Sequence, residues 1–428
     1  MSIIFFCIIF SNKEPFVNII MSKSILLIGC TGFLGKSILY KLLKATKLTI
    51  YLVIRDKNGV SYKDRIRLIL QEIRCQYEYS SRIIPVNVTY DRQNNMKIKI
   101  DDSIHDELLN NINYVINALA DINFNRELVK AVQNNTLTAL NWLNFCKLSQ
   151  NKIKYVYVST AYVNYHLDDE IIHEKVYEKN MSKNTLQDIL NKKITSITPY
   201  LNTYTYSKQL AEILLIQNQD NVNLHIVRPS IIVCAHKYPY KGYGSLQNVN
   251  LAFFGAITGT LAFFDIKKDT KLNCIIPVDK VSSMCIDKIK SKKSFSINHC
   301  SYNNNFFSTS KLYEYIENIY NKHCIHPINI KTISYKPYKT MFVGDSLFYK
   351  IYSIIYFIII RLLQGSSLYD IYVSLKFTYK YMYVTQFIKK NKQFIMKKQM
   401  KEVDISDSML HYIDNYMVDE IKLNPLFL

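Results

Sequence analysis

The sequence predicts an α/β fold built on a doubly wound parallel sheet, and three observations carry this prediction. Apolar strands alternate with amphipathic helices from Ser24 onward, a glycine-rich turn joins the first strand to the first helix, and a later strand ends in adjacent hydroxyl residues. Strands that alternate with helices form parallel sheets, because each helix carries the chain back to the start of the next strand. With 428 residues, the chain can form one large α/β domain and a smaller one.

The first strand, the turn and the first helix lie in SILLIGCTGFLGKSILYKLL, residues 24–43. Gly29, Gly32 and Gly35 have the GxxGxxG spacing of a phosphate-binding turn. The first glycine allows the tight turn, the second lets the backbone approach a pyrophosphate, and the third lets the helix pack closely on its strand. The free amides at the helix start would then face the anion. The stretch predicts a dinucleotide site, although glycine-rich turns also arise for steric reasons alone.

The second parallel strand is predicted over Leu48–Asp56, and the residues at its end indicate which dinucleotide binds. An acidic side chain there favours a ribose 2′-hydroxyl, whereas a planar guanidinium suits a 2′-phosphate. Arg55 occupies this position, with Lys57 and Arg65 nearby, and this favours NADPH. Asp56 instead favours a ribose 2′-hydroxyl. Arg65 could equally be an ordinary solvated residue of a helix.

Two more strands are predicted over Arg82–Thr89 and Asn113–Leu119. The second of these runs into small residues, Asn117–Ala120, which would let the backbone lie along a cofactor; a plain strand end would look the same. A helix is predicted over Arg126–Lys147, and Asn135 is a polar residue in its apolar segment. A buried asparagine is usually a satisfied structural hydrogen bonder, so the residue alone does not indicate a function.

The next strand, Lys152–Thr160, ends in hydroxyl side chains, and a site in a parallel sheet lies at the carboxyl ends of its strands. Farther along, an amphipathic helix carries Tyr204 and Lys208 four residues apart, on one helical face. An ammonium there would lower the pKa of the phenol, make it a usable proton donor and hold the nicotinamide ribose. Tyr and Lys at this spacing are common in a chain with 34 tyrosines, and the preceding turn and strand make the pattern specific.

Four motifs in this order, GCTGFLGK, YVSTAYVN, NTYTYSK and HIVRPSIIV, resemble those of the fatty acyl-CoA reductases, the male sterility group of extended short-chain dehydrogenases/reductases. The stretches IRDKNGVSYKDRIR, IIHEKVYEK and IIPVDKV agree with the resemblance, which covers residues 24–299. The tyrosine-rich remainder resembles the helical tail domain of the same family. We therefore expect a Rossmann-type reductase domain over residues 21–300 and a helical C-terminal domain over 301–428.

The resemblance implies how the cofactor is held. It assigns the 2′-phosphate to Arg55 and the adenine end to the region of Asn87, where the family often has Asp. A second departure is Thr138 and Ala139, where the family usually has Gly-Thr; both departures concern cofactor affinity rather than the reaction. The pyrophosphate is assigned to the residues of the glycine turn: Gly29, Thr31, Gly32, Phe33, Leu34 and Gly35.

The resemblance also implies catalytic roles. Thr160, with Ser159 as the alternative, would hold the substrate carbonyl. Tyr204 would be the acid and Lys208 its partner, and both would also contact the cofactor. Asn135 matches the asparagine that supports the proton relay through that lysine.

The implied activity is NADPH-dependent reduction of fatty acyl-CoA to a primary alcohol through an aldehyde, with release of CoA. Two alternatives stay open within enzymes: a reductase that stops at the aldehyde, and one that acts on another thioester or on a sterol. A rival from another class is a dinucleotide or lipid sensor that has lost turnover. The joint retention of Thr160, Tyr204 and Lys208 argues against the sensor.

The composition limits the partners and the compartment. The formal net charge of +20 favours anionic partners such as phosphorylated cofactors and acidic lipid surfaces, and no nucleic-acid motif accompanies it. The nine cysteines are scattered, odd in number and never in a CxxC pair, so we expect a reducing compartment, no disulfide framework and no metal site. The expected location is intracellular and cytosol-facing, peripheral on or anchored in an organelle membrane such as the peroxisome or the endoplasmic reticulum.

Three stretches raise questions about membranes and the start of the chain. Residues 1–20 contain an apolar run too short to span a bilayer, so we expect a dispensable extension or a true start at Met21. Residues 347–363 are strongly apolar but interrupted by two basic residues, which favours a buried or interfacial helix over a transmembrane one. Residues 376–401 carry eight lysines, no acidic residue and several aromatic residues. This pattern suits a face on anionic lipid or, equally, a solvated lysine face with the aromatic residues in the core.

Overall fold

Strands and helices alternate along the first half of the chain, as the sequence predicts. The computed structural model describes residues 23–75, 81–91, 95–178, 180–245, 271–272, 275–302 and 305–306, together with parts of 311–318 and 393–417. The extension 1–20 and residues 347–363 lie outside the described residues, as does all of 376–401 except residues 393, 394, 396 and 400.

The elements in chain order are β1 (Ser24–Ile28), α1 (Phe33–Ala45), β2 (Thr49–Val53), α2 (Tyr62–Glu72), β3 (Ile83–Val86), β4 (Val88–Asp91), β5 (Lys97–Ile100), α3 (Asp102–Asn111), β6 (Ile112–Asn117), α4 (Leu128–Val132), a π-helical turn (Gln133–Leu137), α5 (Thr138–Lys147), β7 (Lys154–Val158), a 3₁₀ turn (Ala161–Asn164), β8 (Ile171–Ile172), α6 (Lys183–Leu190), α7 (Thr203–Gln217), β9 (Asn223–Pro229), β10 (Ile231–Val233), β11 (Lys271–Leu272), β12 (Ile275–Pro277), α8 (Val278–Ile289), β13 (Phe295–Cys300), β14 (Asn305–Phe306), β15 (Gln393–Phe394), α9 (Ser406–Tyr412) and a second π-helical turn (Ile413–Met417).

Seven parallel strands form the central sheet in the order β13-β9-β7-β6-β1-β2-β3. Helices α1, α2 and α8 cover one face with one hydrophobic core, and helices α3 to α7 contribute to a second core on the other face. Burial on both faces explains why the central strands are nearly continuous apolar runs. The strand order reverses between β1 and β6, and in doubly wound sheets ligands bind at this reversal, outside the carboxyl ends of the strands. The predicted Rossmann-type fold is confirmed.

The structure departs from two predicted elements. The predicted strand Arg82–Thr89 is wrong as a single strand, because β3 ends at Val86 and β4 starts at Val88. At the intervening Asn87 the chain leaves the central sheet, since β4 pairs antiparallel with β5 in a separate two-stranded sheet. The predicted helix Arg126–Lys147 is present from Leu128, but a π-helical turn interrupts it.

The described part of 393–417 packs against the carboxyl end of the sheet. β15 pairs in parallel with β8, and the buried Phe394 ring lies 5.5 Å from the rings of Tyr162 and His299. Phe394 is one of the aromatic residues of the basic segment, so at this position the structure favours the core alternative. Within the described stretches, no helix combines the length and the apolar character that crossing a bilayer requires.

Candidate functional site

The glycine turn lies against the end of β6, at the reversal of the strand order. Gly29 has φ +85°, a conformation that favours glycine, and a Cβ added there would lie 2.6 Å from the amide nitrogen of Leu119. A Cβ on Gly35 would overlap the carbonyl oxygen of Gly29. Gly32 differs, because a Cβ there would meet only that same oxygen, at 3.5 Å. Internal packing therefore requires the first and third glycines, whereas the second leaves space for a ligand.

The start of α1 is open to an anion. Gly32 is the N-cap and supplies no side-chain cap, and the first helical turn contains no acidic residue. The first backbone bond of the helix runs from the amide of Lys36 to the carbonyl of Gly32, at 2.9 Å. The amides of Phe33, Leu34 and Gly35 precede it and have no intrahelical acceptor. These amides, the exposed Thr31 and the space at Gly32 fit the pyrophosphate of a dinucleotide.

The residues expected at the adenosine end lie at the carboxyl ends of β2 and β3. Arg55 is exposed, and the Arg65 guanidinium donates a hydrogen bond to its carbonyl oxygen, so Arg65 braces this turn rather than pointing freely into solvent. The Asp56 carboxylate accepts a hydrogen bond from the amide of Tyr62 at 2.6 Å. The acidic residue that argued against a 2′-phosphate is therefore engaged at the start of α2. Asn87 is exposed immediately after β3, one sheet position from Arg55.

Thr160 and Tyr204 lie together beyond the end of β7. Thr160 is buried and caps the 3₁₀ turn, where its hydroxyl accepts from the amide of Tyr162 at 3.4 Å. Burial raises the pKa of Tyr204 above its ordinary value, and the hydrogen bond to Thr160 opposes this shift. The expectation that the phenol pKa is lowered is therefore wrong for this structure, because burial outweighs the hydrogen bond. At neutral pH the phenol keeps the proton that an acid must donate.

Lys208 lies one helical turn after Tyr204 and is fully buried. Its Nζ donates a hydrogen bond to the carbonyl of Val158 at 2.6 Å and lies 4.1 Å from the centre of the Tyr157 ring. Burial lowers the pKa of Lys208 to about 7, and the charge of Glu212 opposes this shift. The ammonium is thus held at the end of β7 and can change protonation near neutral pH.

Asn135 lies within the π-helical turn, and its side-chain amide is fully occupied. Its Oδ1 accepts from the amide of Asp121 at 2.8 Å, and its Nδ2 donates to the Asp121 carbonyl at 3.0 Å and to the Ser207 hydroxyl at 2.9 Å. π-Helical turns widen a helix locally and occur often at functional sites. The side chain connects the loop after β6 to α7, and the relay role of Asn135 stays a prediction.

The arrangement of these residues agrees with that of a known protein family. A family model for an NAD-binding domain, described as "Male sterility protein", matches residues 27–285, which is more than half of the chain. The chain belongs to the male sterility protein family. The match starts near the end of β1 and includes the glycine turn, β2, the hydroxyl-ended strand and the Tyr-Lys helix, so the chain carries the family's nicotinamide dinucleotide-binding domain.

Curated relatives of this male sterility family member carry reductase names. Fatty acyl-CoA reductase 2 of Mus musculus is 31% identical over 283 residues, and fatty acyl-CoA reductase 1 of Gallus gallus is 29% identical over 284 residues. Each alignment covers 62% of this chain and 54% of the relative. The chain thus spans about half the length of the curated relatives that it matches.

Solved structures show that the family member has the fold of reductase domains. A thiolation-reductase di-domain from an archaeal non-ribosomal peptide synthetase matches with a TM-score of 0.62 and 19% identity, over 92% of this chain and 75% of that chain. The terminal R domain from the myxalamid PKS-NRPS biosynthetic pathway matches with a TM-score of 0.54 and 21% identity, over 70% of each chain.

The structure of this family member adds site residues that sequence reasoning missed. The Asp121 carboxylate accepts from Arg126 Nε at 2.7 Å and from Asn134 Nδ2 at 2.9 Å, which fixes the loop after β6. This loop places the Phe124 ring 5.7 Å from the Tyr204 ring. The sequence does contain a signal for Asp121, because it is a charged residue directly after the small residues that end a predicted strand.

Proposed function

We propose that this protein reduces fatty acyl-CoA to a primary fatty alcohol with NADPH, through an aldehyde and with release of CoA. The observation that carries the proposal is the placement of Thr160 and Tyr204 together near the buried Lys208 at the carboxyl end of the sheet. The relatives named fatty acyl-CoA reductase support the choice of substrate.

In this proposal the chain holds the cofactor at two points. The amides at the start of α1 and the space at Gly32 take the pyrophosphate, and the exposed Arg55 takes the 2′-phosphate. Bound NADPH would supply the hydride. The exposed guanidinium of Arg55 favours NADPH over NADH, because it can bind a 2′-phosphate that NADH lacks.

The hydroxyl groups of Thr160 and Tyr204 would hold the substrate carbonyl oxygen. Donors that are already in place stabilise an oxyanion as it forms, without reorganisation at that moment. Tyr204 then gives its proton to the oxygen in the aldehyde step, and its raised pKa means that this proton is present at neutral pH. Lys208 Nζ, one helical turn away, has a pKa near neutrality and can resupply the proton.

The proposal extends to partners and location. An acyl-CoA carries phosphate groups, and a chain with a formal net charge of +20 attracts such anions and acidic lipid surfaces. We place the protein inside the cell, facing the cytosol, on or anchored in an organelle membrane such as that of the peroxisome or the endoplasmic reticulum.

The test is product analysis with purified protein, NADPH and palmitoyl-CoA. Hexadecanol as the product, with two NADPH oxidised per acyl group, supports the proposal. Accumulation of hexadecanal would show a reductase that stops at the aldehyde. Failure to oxidise NADPH with acyl-CoA of any chain length would overturn the proposal and favour a sensor.

A further inference from the structure

A buried ion pair lies one helical turn beyond Lys208. Glu212 follows Lys208 by four residues on α7, and Arg228 reaches it from β9; the two side chains of this pair are each 1% exposed. Arg228 Nε lies 3.0 Å from Glu212 Oε1, and Nη2 lies 2.6 Å from Oε2. The remaining Arg228 Nη1 donates to the carbonyl of Lys175 at 2.9 Å, so the guanidinium is bonded on both sides.

The acidic member of the ion pair lies on the same helix as a titratable lysine. Arginine does not lose its proton in proteins, and the Arg228 guanidinium donates to both carboxylate oxygens of Glu212. Residues four apart share a helical face, so the Glu212 carboxylate lies on the same face as the Lys208 ammonium. A nearby opposite charge favours the charged form of a buried group. Glu212 accordingly opposes the effect of burial on the pKa of Lys208.

The other titratable groups near α7 are neutral or make contacts with other residues, so they do not set the charge of Lys208. Tyr204 on α7 and Tyr155, Tyr157 and Cys146 on β7 and α5 stay neutral because burial raises their pKa values. His225 on β9 is neutral because burial lowers its pKa to about 4. The 3₁₀ turn contributes Tyr162, which packs on Phe394. The lysines are bonded to other groups: Lys130 to Glu127, Lys147 to Asp220, and Lys154 to the carbonyls of Ile289 and Ser291.

We propose that Glu212, held in place by Arg228, is a positioning residue that keeps the Lys208 ammonium charged. This inference rests on the proposed function, because it gives Lys208 a role in the proton supply. Glu212 touches neither substrate nor cofactor in the proposal and acts through the lysine. The repeat Tyr204, Lys208, Glu212 thereby combines the acid, its proton source and the group that sets the charge of that source on one face of α7.

The test uses three variants of the full chain and the pH dependence of kcat/KM for palmitoyl-CoA reduction. E212Q removes the anion and leaves Arg228 as an unpaired cation. We expect the pH above which kcat/KM falls to move down by about one unit or more, because Lys208 loses its proton earlier. E212D keeps the charge and should restore the profile to within a few tenths of a unit. E212Q/R228Q removes both charges and with them the unpaired buried cation that destabilises E212Q.

The double variant separates positioning from a purely structural role. We expect it to retain the fold by circular dichroism and still lose activity at a lower pH than the wild type. A wild-type pH profile in the double variant would overturn the inference, because the pair would then serve only the fold. If E212Q does not fold, the pH profiles of E212D and the double variant still test the inference.

A direct titration keeps the test independent of turnover. The ¹³Cε resonance of Lys208, assigned with K208M in protein labelled on lysine, reports protonation without substrate. A lower pKa of Lys208 in E212Q/R228Q than in the wild type supports the inference even if no acyl-CoA is reduced, a result that would count against the proposed function alone. An unchanged pKa overturns the inference whatever the activity.

Discussion

Alanine at Gly35 should destabilise the fold, whereas alanine at Gly32 should leave the stability nearly unchanged, although the two glycines lie in the same turn. A Cβ on Gly35 would overlap the Gly29 carbonyl oxygen and lie 2.9 Å from the Cα of Cys30, and backbone atoms cannot rotate away. The helix must shift away from β1, while Ile38, Leu39 and Leu42 of α1 are fully buried in the core. We expect G35A to cost about 1–3 kcal/mol of unfolding free energy, the usual range for overpacking.

G32A is the matched control for the fold. Gly32 has φ −81° and ψ 163°, which alanine adopts without strain, and its added Cβ would make one ordinary contact at 3.5 Å. We expect its stability to change little, because the lower entropy of the unfolded chain with alanine offsets the weaker N-cap that alanine makes relative to glycine. The same methyl would occupy the space assigned to the pyrophosphate, so the Kd for NADPH should rise at least about tenfold, equivalent to about 1.4 kcal/mol.

Urea denaturation and fluorescence titration with NADPH measure the two effects on the same preparations. The reasoning predicts a lower urea midpoint for G35A only, and weakened NADPH binding for both variants. If G32A bound NADPH as tightly as the wild type, the ligand role of this glycine would be refuted. A G32A protein as unstable as G35A would instead show that packing requires both glycines.

Four further predictions concern the site. Y204F should reduce kcat/KM about 10²–10⁴-fold while NADPH binding measured by titration stays nearly intact, and unchanged activity would remove Tyr204 from the acid role. R55Q should raise the KM for NADPH about tenfold or more and leave that for NADH nearly unchanged; equal effects on both cofactors would contradict a 2′-phosphate contact. N135A removes three hydrogen bonds of a buried amide and should cost about 1–3 kcal/mol in urea unfolding, so a loss of activity without a loss of stability would favour a relay role instead. Wild-type kcat/KM should fall as pH rises past about 7, because the lowered pKa of Lys208 means that its proton is lost there, and a flat profile up to pH 9 would contradict the role of the ammonium.

The elements that the sequence predicts well are those with a local cause. The apolar runs of β1, β2 and β7, the glycine turn and the start of α7 depend on residue pattern and appear within a few positions of the predicted bounds. No local pattern marks the break at Asn87, because the break depends on the pairing of β4 with β5 in a separate sheet. The π-helical turn at Asn135 also depends on tertiary contacts, since its amide is satisfied by the Asp121 backbone and by Ser207.

The candidate residues of the site could be selected from the sequence, but their protonation could not. Tyr204 and Lys208 are apparent from their spacing, whereas the raised pKa of Tyr204 and the lowered pKa of Lys208 arise from burial that only the folded chain creates. Glu212 continues the same four-residue spacing, so the sequence alone indicates that it shares a helical face with Tyr204 and Lys208. Its partner Arg228 lies on another element, and a contact between a helix and a strand leaves no periodic mark in the sequence.

The central claim is that this site transfers hydride to an acyl-CoA carbonyl, and isotope transfer tests it most directly. Palmitoyl-CoA is incubated with the purified protein and with NADPH that carries deuterium in both positions at C4 of the nicotinamide ring, and the products are analysed by mass spectrometry. The account predicts hexadecanol with two deuterium atoms at C1 from the wild type and almost no labelled product from Y204F. Wild-type protein that yields no labelled alcohol or aldehyde while it still binds NADPH would contradict the account.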